Sequence, residues 1–222
     1  MERFENDVVP GRILALRKKG FDIVSVFDIK KIHAFLFEPV FDWAGEIRTV
    51  TIYKSEPILE GASVDYTPAG YITKELMDLE TQFLKIDWNT LSDKDKVSKA
   101  ADIVQTLWQI HCFREGNTRV TALFMYFLLK KIGLHVNADF ISKHSKYFRN
   151  ALVLASCYSR SKPQYLKGII ADSVSINDSF GSSYSTLEGY QVEKYAYSYH
   201  TIEELKTIKS LQEIERNQDG KQ

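Results

Sequence analysis

Apolar residues recur at helical spacing along most of the chain. Over residues 27–37, Ile29, Ile32, Phe35 and Leu36 fall on one face, and Pro39 predicts the end of that helix. Pro68 suits the first turn of a second helix reaching about Phe83. Ser92 is a predicted N-cap, with Asp93 and Asp95 placed favourably at a positive helix N-terminus. Val97, Ala101, Val104 and Trp108 then form a core-facing stripe whose next step is His111. After a break at Gly116 and Asn117, an apolar helix is predicted from about Thr118 to Ile132, with Gly133 as its C-cap. Two further helices are expected, over about 138–156 and 163–174. One stretch differs. Residues 48–53 are β-branched, 57–61 supply turn chemistry, and 62–66 alternate again, which predicts a β-hairpin. The expected fold is an all-α helical bundle carrying one small hairpin.

From Ile176 onward the composition shifts to Ser, Gly, Asn and Tyr, the signature of a linker. An amphipathic stretch at about 201–216 predicts one last short helix. The domain is therefore expected to occupy 1–178, with 179–222 as a C-terminal tail. No internal repeat is found.

Composition narrows the classes. At 222 residues with 44% hydrophobic and 26% charged positions, the chain can bury a sizeable core. Lys and Arg equal Asp and Glu at 29 each, so no bulk nucleic-acid or polyanion binding is expected and any phosphate site must be local. The cysteines, Cys112 and Cys157, are too few for a disulfide framework and read as reduced thiols. The charged start, MERFENDVVPGR, is unlike a signal peptide, and no apolar run approaches the ~18–20 residues of a membrane span. The expectation is a cytoplasmic protein without membrane or nucleic-acid partners. The histidines lack metal-ligand spacing.

The segment from His111 to Arg119 (HCFREGNTR) carries the chemistry. A helix ends at a histidine, a short loop holds an acid, a glycine and an asparagine, and a second helix begins with an arginine in its first turn. A helix N-terminus presents N–H groups and a positive dipole end to an anion. Gly116 permits close backbone approach, and Asn117 can cap the helix and donate from its amide. Arg119 disfavours a helix start unless an anion sits there. Glu115 suits a phosphate site only through a bridging cation such as Mg²⁺. His111, with an ordinary pKa near ~6.5, can accept a proton, and transfer is expected to fall below that pH. These parts imply phosphoryl or nucleotidyl transfer. The residues alone leave a bland reading open: a core histidine beside an ordinary Gly-Asn turn.

The segment resembles the signature loop of the Fic family, HxFx(D/E)GNxR, with His111, Phe113, Glu115, Gly116, Asn117 and Arg119 at the fixed positions. Residues 32–37 (IHAFLF) and 41–50 (FDWAGEIRTV) resemble the family segment leading into its β-hairpin flap, and 147–152 (YFRNAL) resembles a later family helix. The likeness covers roughly residues 20 to 170. It implies a Fic-type helical bundle that moves AMP from Mg-ATP to a Ser, Thr or Tyr hydroxyl of a target protein. The resemblance implies that His111, Glu115 and Arg119 are catalytic, with His111 the base, Glu115 the holder of Mg²⁺ and Phe113 the anchor of the loop. Gly116, Asn117, Thr118 and Arg119 form the nucleotide-binding set. It further implies that the target adds as a strand along a flap at residues 49–66, bounded by Thr49 and Tyr66. His33 reads as a helix-packing residue.

Three departures bear on this. Cys112 replaces the usual proline and reads as a small buried hydrophobe. Thr118 stands where many active members have glycine, poised to crowd the phosphates or to contact them. Ala122 stands where many AMP transferases have a second arginine, with Arg149 as a candidate substitute. The alternative readings are a catalytically weak Fic-fold binding module, or a transferase with a different nucleotide preference. The phosphotransferase branch places lysine where Thr118 stands, and the phosphocholine branch alanine where Gly116 stands. Neither is present. The inhibitory pattern Ser/Thr-x-x-x-Glu-Gly/Asn is also absent. The nearest match, Ser185 to Glu188, has a spacing of three, so Glu188 is not expected to inhibit, and an inhibitory partner protein is the expected source of any restraint.

Overall fold

The computed structural model describes residues 2–157 and 161–174. The predicted tail, including Glu188 and the helix expected at 201–216, lies outside the described residues. Eight α-helices are described: α1 Glu2–Lys19, α2 Asp28–Phe37, α3 Ile72–Leu84, α4 Asp93–Ile110, α5 Asn117–Lys131, α6 Ala138–Lys143, α7 Ser145–Ala155 and α8 Pro163–Ser173.

α4 and α5 form the centre. α4 packs against α3, α5, α7 and α8, and α5 also packs against α2. The predicted stripe on α4 is buried as expected, and Ala100 and Ala101 let neighbouring backbones approach. α5 buries Val120, Leu123, Phe124, Met125, Phe127, Leu128 and Leu129, so it is covered nearly all round, as a central helix must be. Its end follows the glycine rule. Gly133 adopts φ 86°, its N–H donates to the Lys130 carbonyl, and the Leu134 N–H reaches back to Leu129. The Ser92 hydroxyl accepts from the Asp95 N–H, which makes it the cap of α4. Losing such a cap typically costs ~1 kcal/mol. α8 starts at Pro163 as the sequence predicts.

Three features depart from the sequence reading. α1 is unexpected, because Pro10 lies inside it and proline interrupts helical hydrogen bonding. Tertiary packing holds it: Val9 and Leu16 are buried, and Arg12 lies over the Phe35 ring at 4.5 Å and donates to the Phe35 carbonyl. The stretch 138–156 is two helices, α6 and α7, meeting at His144.

The third departure corrects the hairpin. Residues 48–67 fold back on themselves, but no sheet is formed among the described residues; the only bridge is Val136 with Val174. Side chains occupy the ladder's hydrogen-bonding groups instead. Arg48 donates to the Val50 and Thr67 carbonyls, one on each arm. The Ser63 hydroxyl accepts from the Lys54 N–H, and Thr51 Oγ1 accepts from the Ala69 N–H. One main-chain bond of hairpin type, Glu56 N–H to Ala62 O at 2.9 Å, closes the turn over Pro57–Leu59. A two-armed ribbon with so few main-chain bonds is not a ladder.

Candidate active site

α4 does not simply stop at His111. His111 takes a left-handed conformation, φ 52° and ψ 61°, rare for a residue with a side chain and worth roughly 1–3 kcal/mol of strain. Arg48 offsets it. This guanidinium is 1% exposed, and its Nε donates to the His111 carbonyl at 2.7 Å while Nη2 lies 3.4 Å from the Ile110 carbonyl. A cation thus satisfies the negative end of α4. The Arg48 N–H donates to the Cys112 carbonyl, locking the next residue as well. Burial pulls the Arg48 pKa down, with a small opposing effect from Cys112.

The imidazole is set in one tautomer. Nδ1 lies 3.1 Å from the Trp108 carbonyl, so it is the protonated nitrogen that donates. Nε2 then carries the lone pair and is buried without a hydrogen-bond partner. The Tyr66 ring lies 4.1 Å from the imidazole, and Trp108 meets it edge-on at 5.3 Å. Burial is the largest influence on the His111 pKa. With the Lys54, Arg48 and Arg149 charges it outweighs the Trp108 hydrogen bond and lowers the pKa to about 3. The expected pKa near ~6.5 is therefore corrected: His111 is a neutral imidazole throughout the neutral range.

The loop after it is tied from within. Asn117 is buried and spans Phe113: its Oδ1 accepts the Phe113 N–H at 3.0 Å, and its Nδ2 donates to the Phe113 carbonyl at 2.7 Å. The Asn117 amide is thus spent on shaping the loop, and does not cap α5. Phe113 is fully buried and stacks on His33 at 3.9 Å. His33 packs as expected, and it also fixes the loop from below: its Nδ1 accepts the Gly45 N–H and its Nε2 lies 3.2 Å from the Glu115 carbonyl. Burial is the main reason its pKa falls to about 4. Gly116 has φ 81°, and a Cβ there would sit 2.5 Å from the Phe37 ring, so glycine is required twice over.

His111, Glu115, Gly116, Asn117, Thr118 and Arg119 all line one cleft of about 410 Å³. Lys54, Trp108, Ser145, Lys146 and Arg149 complete it. Four cations face one carboxylate, an arrangement suited to an anion. Glu115 is half exposed; its Oε1 accepts the Gly116 N–H and its Oε2 lies 3.3 Å from Lys54 Nζ. Burial pushes its pKa up, but the Gly116 N–H, Lys54 and Arg119 together hold it below the usual value. No group of three or more His, Cys, Asp and Glu lies where it could hold a metal among the described residues. A lone carboxylate beside a phosphate site does fit Mg²⁺, which is usually held by one or two carboxylates plus substrate phosphates.

The departures resolve. Cys112 is buried, with burial pushing its thiol up to about 12, as a packing residue requires. The Thr118 hydroxyl accepts from the Trp108 indole N–H at 3.0 Å and so ties α5 to α4. Ala122 lines not the cleft but an adjoining apolar groove formed by α1, α5, α6 and α7, which shares Thr118, Arg119 and Ser145 with the cleft. Arg149 does reach the cleft, from α7.

Sequence reasoning missed Lys54, Ser145 and Lys146 in the cleft, and Arg48 and Glu56 behind it. Lysines and a serine on amphipathic segments carry no distinguishing signal. Arg48 sits in a β-branched run where a surface side chain is the ordinary reading, and Glu56 precedes Pro57 like any turn residue.

A neutral imidazole at a helix end, beside a cleft lined by four cations and the N-terminus of α5, is an arrangement on a helical scaffold that suits an anion. The relatives are more particular. Residues 23–129 match the Fic/DOC family, and this part of the chain is a Fic/DOC family domain. The chain is 28% identical over 153 residues to the protein adenylyltransferase VbhT of Bartonella schoenbuchensis, which covers 64% of this chain and 31% of that protein. It is 31% identical over 121 residues to a protein adenylyltransferase of Bartonella henselae, covering 50% of this chain and 22% of that one. It thus spans less than a third of either relative. The BepC effector of Bartonella tribocorum, solved with bound AMPPNP, superposes with a TM-score of 0.63 at 25% identity, covering 79% of this chain and 87% of that one. The helical Fic fold is thereby established; a β-hairpin flap is not formed here as a sheet.

Proposed function

We propose that the chain is a protein adenylyltransferase that moves AMP from Mg-ATP to a Ser, Thr or Tyr hydroxyl of a target protein. The observation that carries the reading is His111 Nε2, a lone pair without a partner on the wall of a cleft lined by Lys54, Arg119, Lys146 and Arg149. The relatives named as protein adenylyltransferases, and the neighbour solved with AMPPNP, support the same chemistry.

His111 Nε2 accepts the hydroxyl proton as the oxygen forms its bond to the α-phosphorus. The bond from the α-phosphorus to the bridging oxygen breaks, and pyrophosphate leaves. Arg119 and the N-terminus of α5 stabilise the phosphate charge. Glu115 would hold Mg²⁺, which screens the phosphates from the carboxylate when bound. The target lies as an added strand along about 49–55, a mode that extended segments favour. Reduced thiols fit a cytoplasmic setting, and no helix among the described residues is long and apolar enough to cross a membrane. The catalytic domain is taken as 1–178, with 179–222 as a tail and a separate partner protein as the source of any restraint.

A second reading, a catalytically weak Fic-fold binding module or a transferase with another nucleotide preference, is favoured by Ala122, which gives the cleft no second arginine from α5. One experiment separates them: intact-mass spectrometry of the chain and of lysate proteins after incubation with Mg²⁺ and ATP, GTP, UTP or CTP. A gain of one AMP supports the transferase. His111→Ala should lose ~10²–10⁴ in rate while still binding ATP. Equal transfer by His111→Ala overturns the mechanism, and no gain with any nucleotide favours the binding module.

A further inference from the structure

Part of the cleft's lining comes from α7, a helix that carries none of the motif. Its Arg149 is held end-on by one carboxylate: Nη1 lies 2.7 Å from Glu56 Oε2, and Nη2 lies 3.0 Å from Glu56 Oε1. The two partners differ sharply in exposure. The Glu56 side chain is 0% exposed and that of Arg149 39%, so the guanidinium is anchored from beneath and faces the cleft.

Glu56 does more than hold Arg149. Its Oε1 also accepts the Tyr66 hydroxyl at 3.1 Å, and the Tyr66 ring lies against the His111 imidazole. Its own backbone closes the turn, donating to Ala62 and accepting from Gly61. One buried carboxylate therefore joins three things: the cation on α7, the ring beside the base, and the fold of residues 48–67. A buried carboxylate is tolerated only when it is paired, and this one is paired on both oxygens, so removing either partner would leave the other uncompensated. A fork-to-fork pair fixes the plane of a guanidinium, which an apolar contact or a single hydrogen bond does not.

The geometry points to Arg149 as a phosphate-binding residue for the nucleotide, with Glu56 as the positioning residue that aims it. This rests on the transferase reading above and adds to it the source of a cation. α5 offers only the Ala122 methyl one turn beyond the motif, and that methyl faces the apolar groove. The charge comes instead from α7, so that two arginines from different helices line the same cleft. Glu56 acts through Arg149 and through Tyr66, never on the nucleotide itself.

The test measures Mg-ATP binding by calorimetry for the full chain and for Glu56→Gln, Arg149→Gln and the double variant, with folding followed by circular dichroism. Glu56→Gln and Arg149→Gln should each weaken ATP binding about tenfold or more, equivalent to ~1.4 kcal/mol. The double variant should bind no more weakly than Arg149→Gln alone, because Glu56 works through that arginine. Glu56→Asp, which keeps the charge at shorter reach, should fall between Glu56→Gln and the unaltered chain. A merely structural ion pair would lower the melting temperature of these variants and leave ATP affinity unchanged at a temperature where all are folded. That outcome, or losses that multiply in the double variant, overturns the proposal. Should Glu56→Gln fail to fold, Arg149→Gln, changed at a side chain that is partly exposed, decides: ATP affinity equal to that of the unaltered chain overturns it. An unaltered chain that binds no ATP overturns the transferase reading as well; one that binds ATP and transfers AMP while these variants bind normally overturns this proposal alone.

Discussion

Gly116→Ala should be among the most damaging single-methyl additions in the domain. Two separate costs meet there. The backbone has φ 81°, and placing a side chain in the left-handed region costs roughly 1–2 kcal/mol. The new Cβ would also lie 2.5 Å from two ring carbons of Phe37, which is itself fully buried and rigidly packed. Overpacking of this kind costs typically ~1–3 kcal/mol. The sum is about 2–5 kcal/mol, or a fall of ~4–20 °C in melting temperature for a domain of this size. Gly133→Ala provides the control. It has φ 86° with nothing within 4 Å of the added Cβ, so it carries the backbone cost alone, or ~2–8 °C. Thermal unfolding followed by circular dichroism gives both values, and their difference isolates the Phe37 contact. In a Phe37→Leu background that difference should shrink toward zero. Equal melting temperatures for Gly116→Ala and Gly133→Ala would refute the steric argument. Function should suffer beyond stability, because Arg119 lies over the same Phe37 ring at 5.0 Å and moves with it. The alanine of the phosphocholine branch is therefore not accommodated here without a change at Phe37.

The histidines predict a pH dependence of stability. His111 and His33 have folded pKa values lowered to about 3 and about 4, mainly by burial, so below ~6.5 the unfolded chain binds protons that the folded one does not. Stability should be fully present above ~6.5 and fall by up to ~1.4 kcal/mol per pH unit per histidine as pH drops; urea midpoints at pH 7 and pH 5 measure it, and an undiminished slope in His33→Gln would count against the assignment. Glu115→Gln should weaken Mg-dependent ATP binding, and excess EDTA should stop transfer; an unchanged rate in EDTA would remove the metal from the reaction. Ile52→Pro should lower target modification while ATP binding stays near normal, since proline removes a main-chain donor from the extended segment. Equal loss of both would make residues 48–67 only structural.

The helices were legible because their signals are local. Ser92 caps α4, the stripe ending at Trp108 is buried, Gly133 terminates α5, and Pro163 opens α8. The cleft residues from His111 to Arg119 were legible for the same reason: they are contiguous. What sequence reading missed is long-range. α1 exists despite Pro10 because its packing outweighs a local penalty. The hairpin pattern at 48–66 was read from β-branching, but a ladder needs carbonyls that Arg48 occupies from within the ribbon. The roles of Asn117 and Thr118 turned on direction: their types suggest phosphate contacts, while the fold turns Asn117 to Phe113 and Thr118 to Trp108. Arg149, a candidate on sequence for the missing second arginine, does line the cleft, but its anchor Glu56 lies 93 positions away and carries no local signal.

The bond from the Trp108 indole to the Thr118 hydroxyl has a consequence for observing the protein. An indole's emission depends on the polarity and hydrogen bonding around its ring nitrogen, and this one ends in the first turn of α5, where the proposed nucleotide phosphates would sit. Trp108 is 1% exposed and also lines the cleft, whereas Trp43 and Trp88 lie elsewhere, Trp43 stacked on Phe41 and Trp88 beside Phe83. With those two replaced by phenylalanine, the remaining tryptophan becomes a native optical reporter of the cleft. A charge arriving at α5 would shift its emission without any label, and the arrival could be timed by stopped flow before a single phosphate bond is broken.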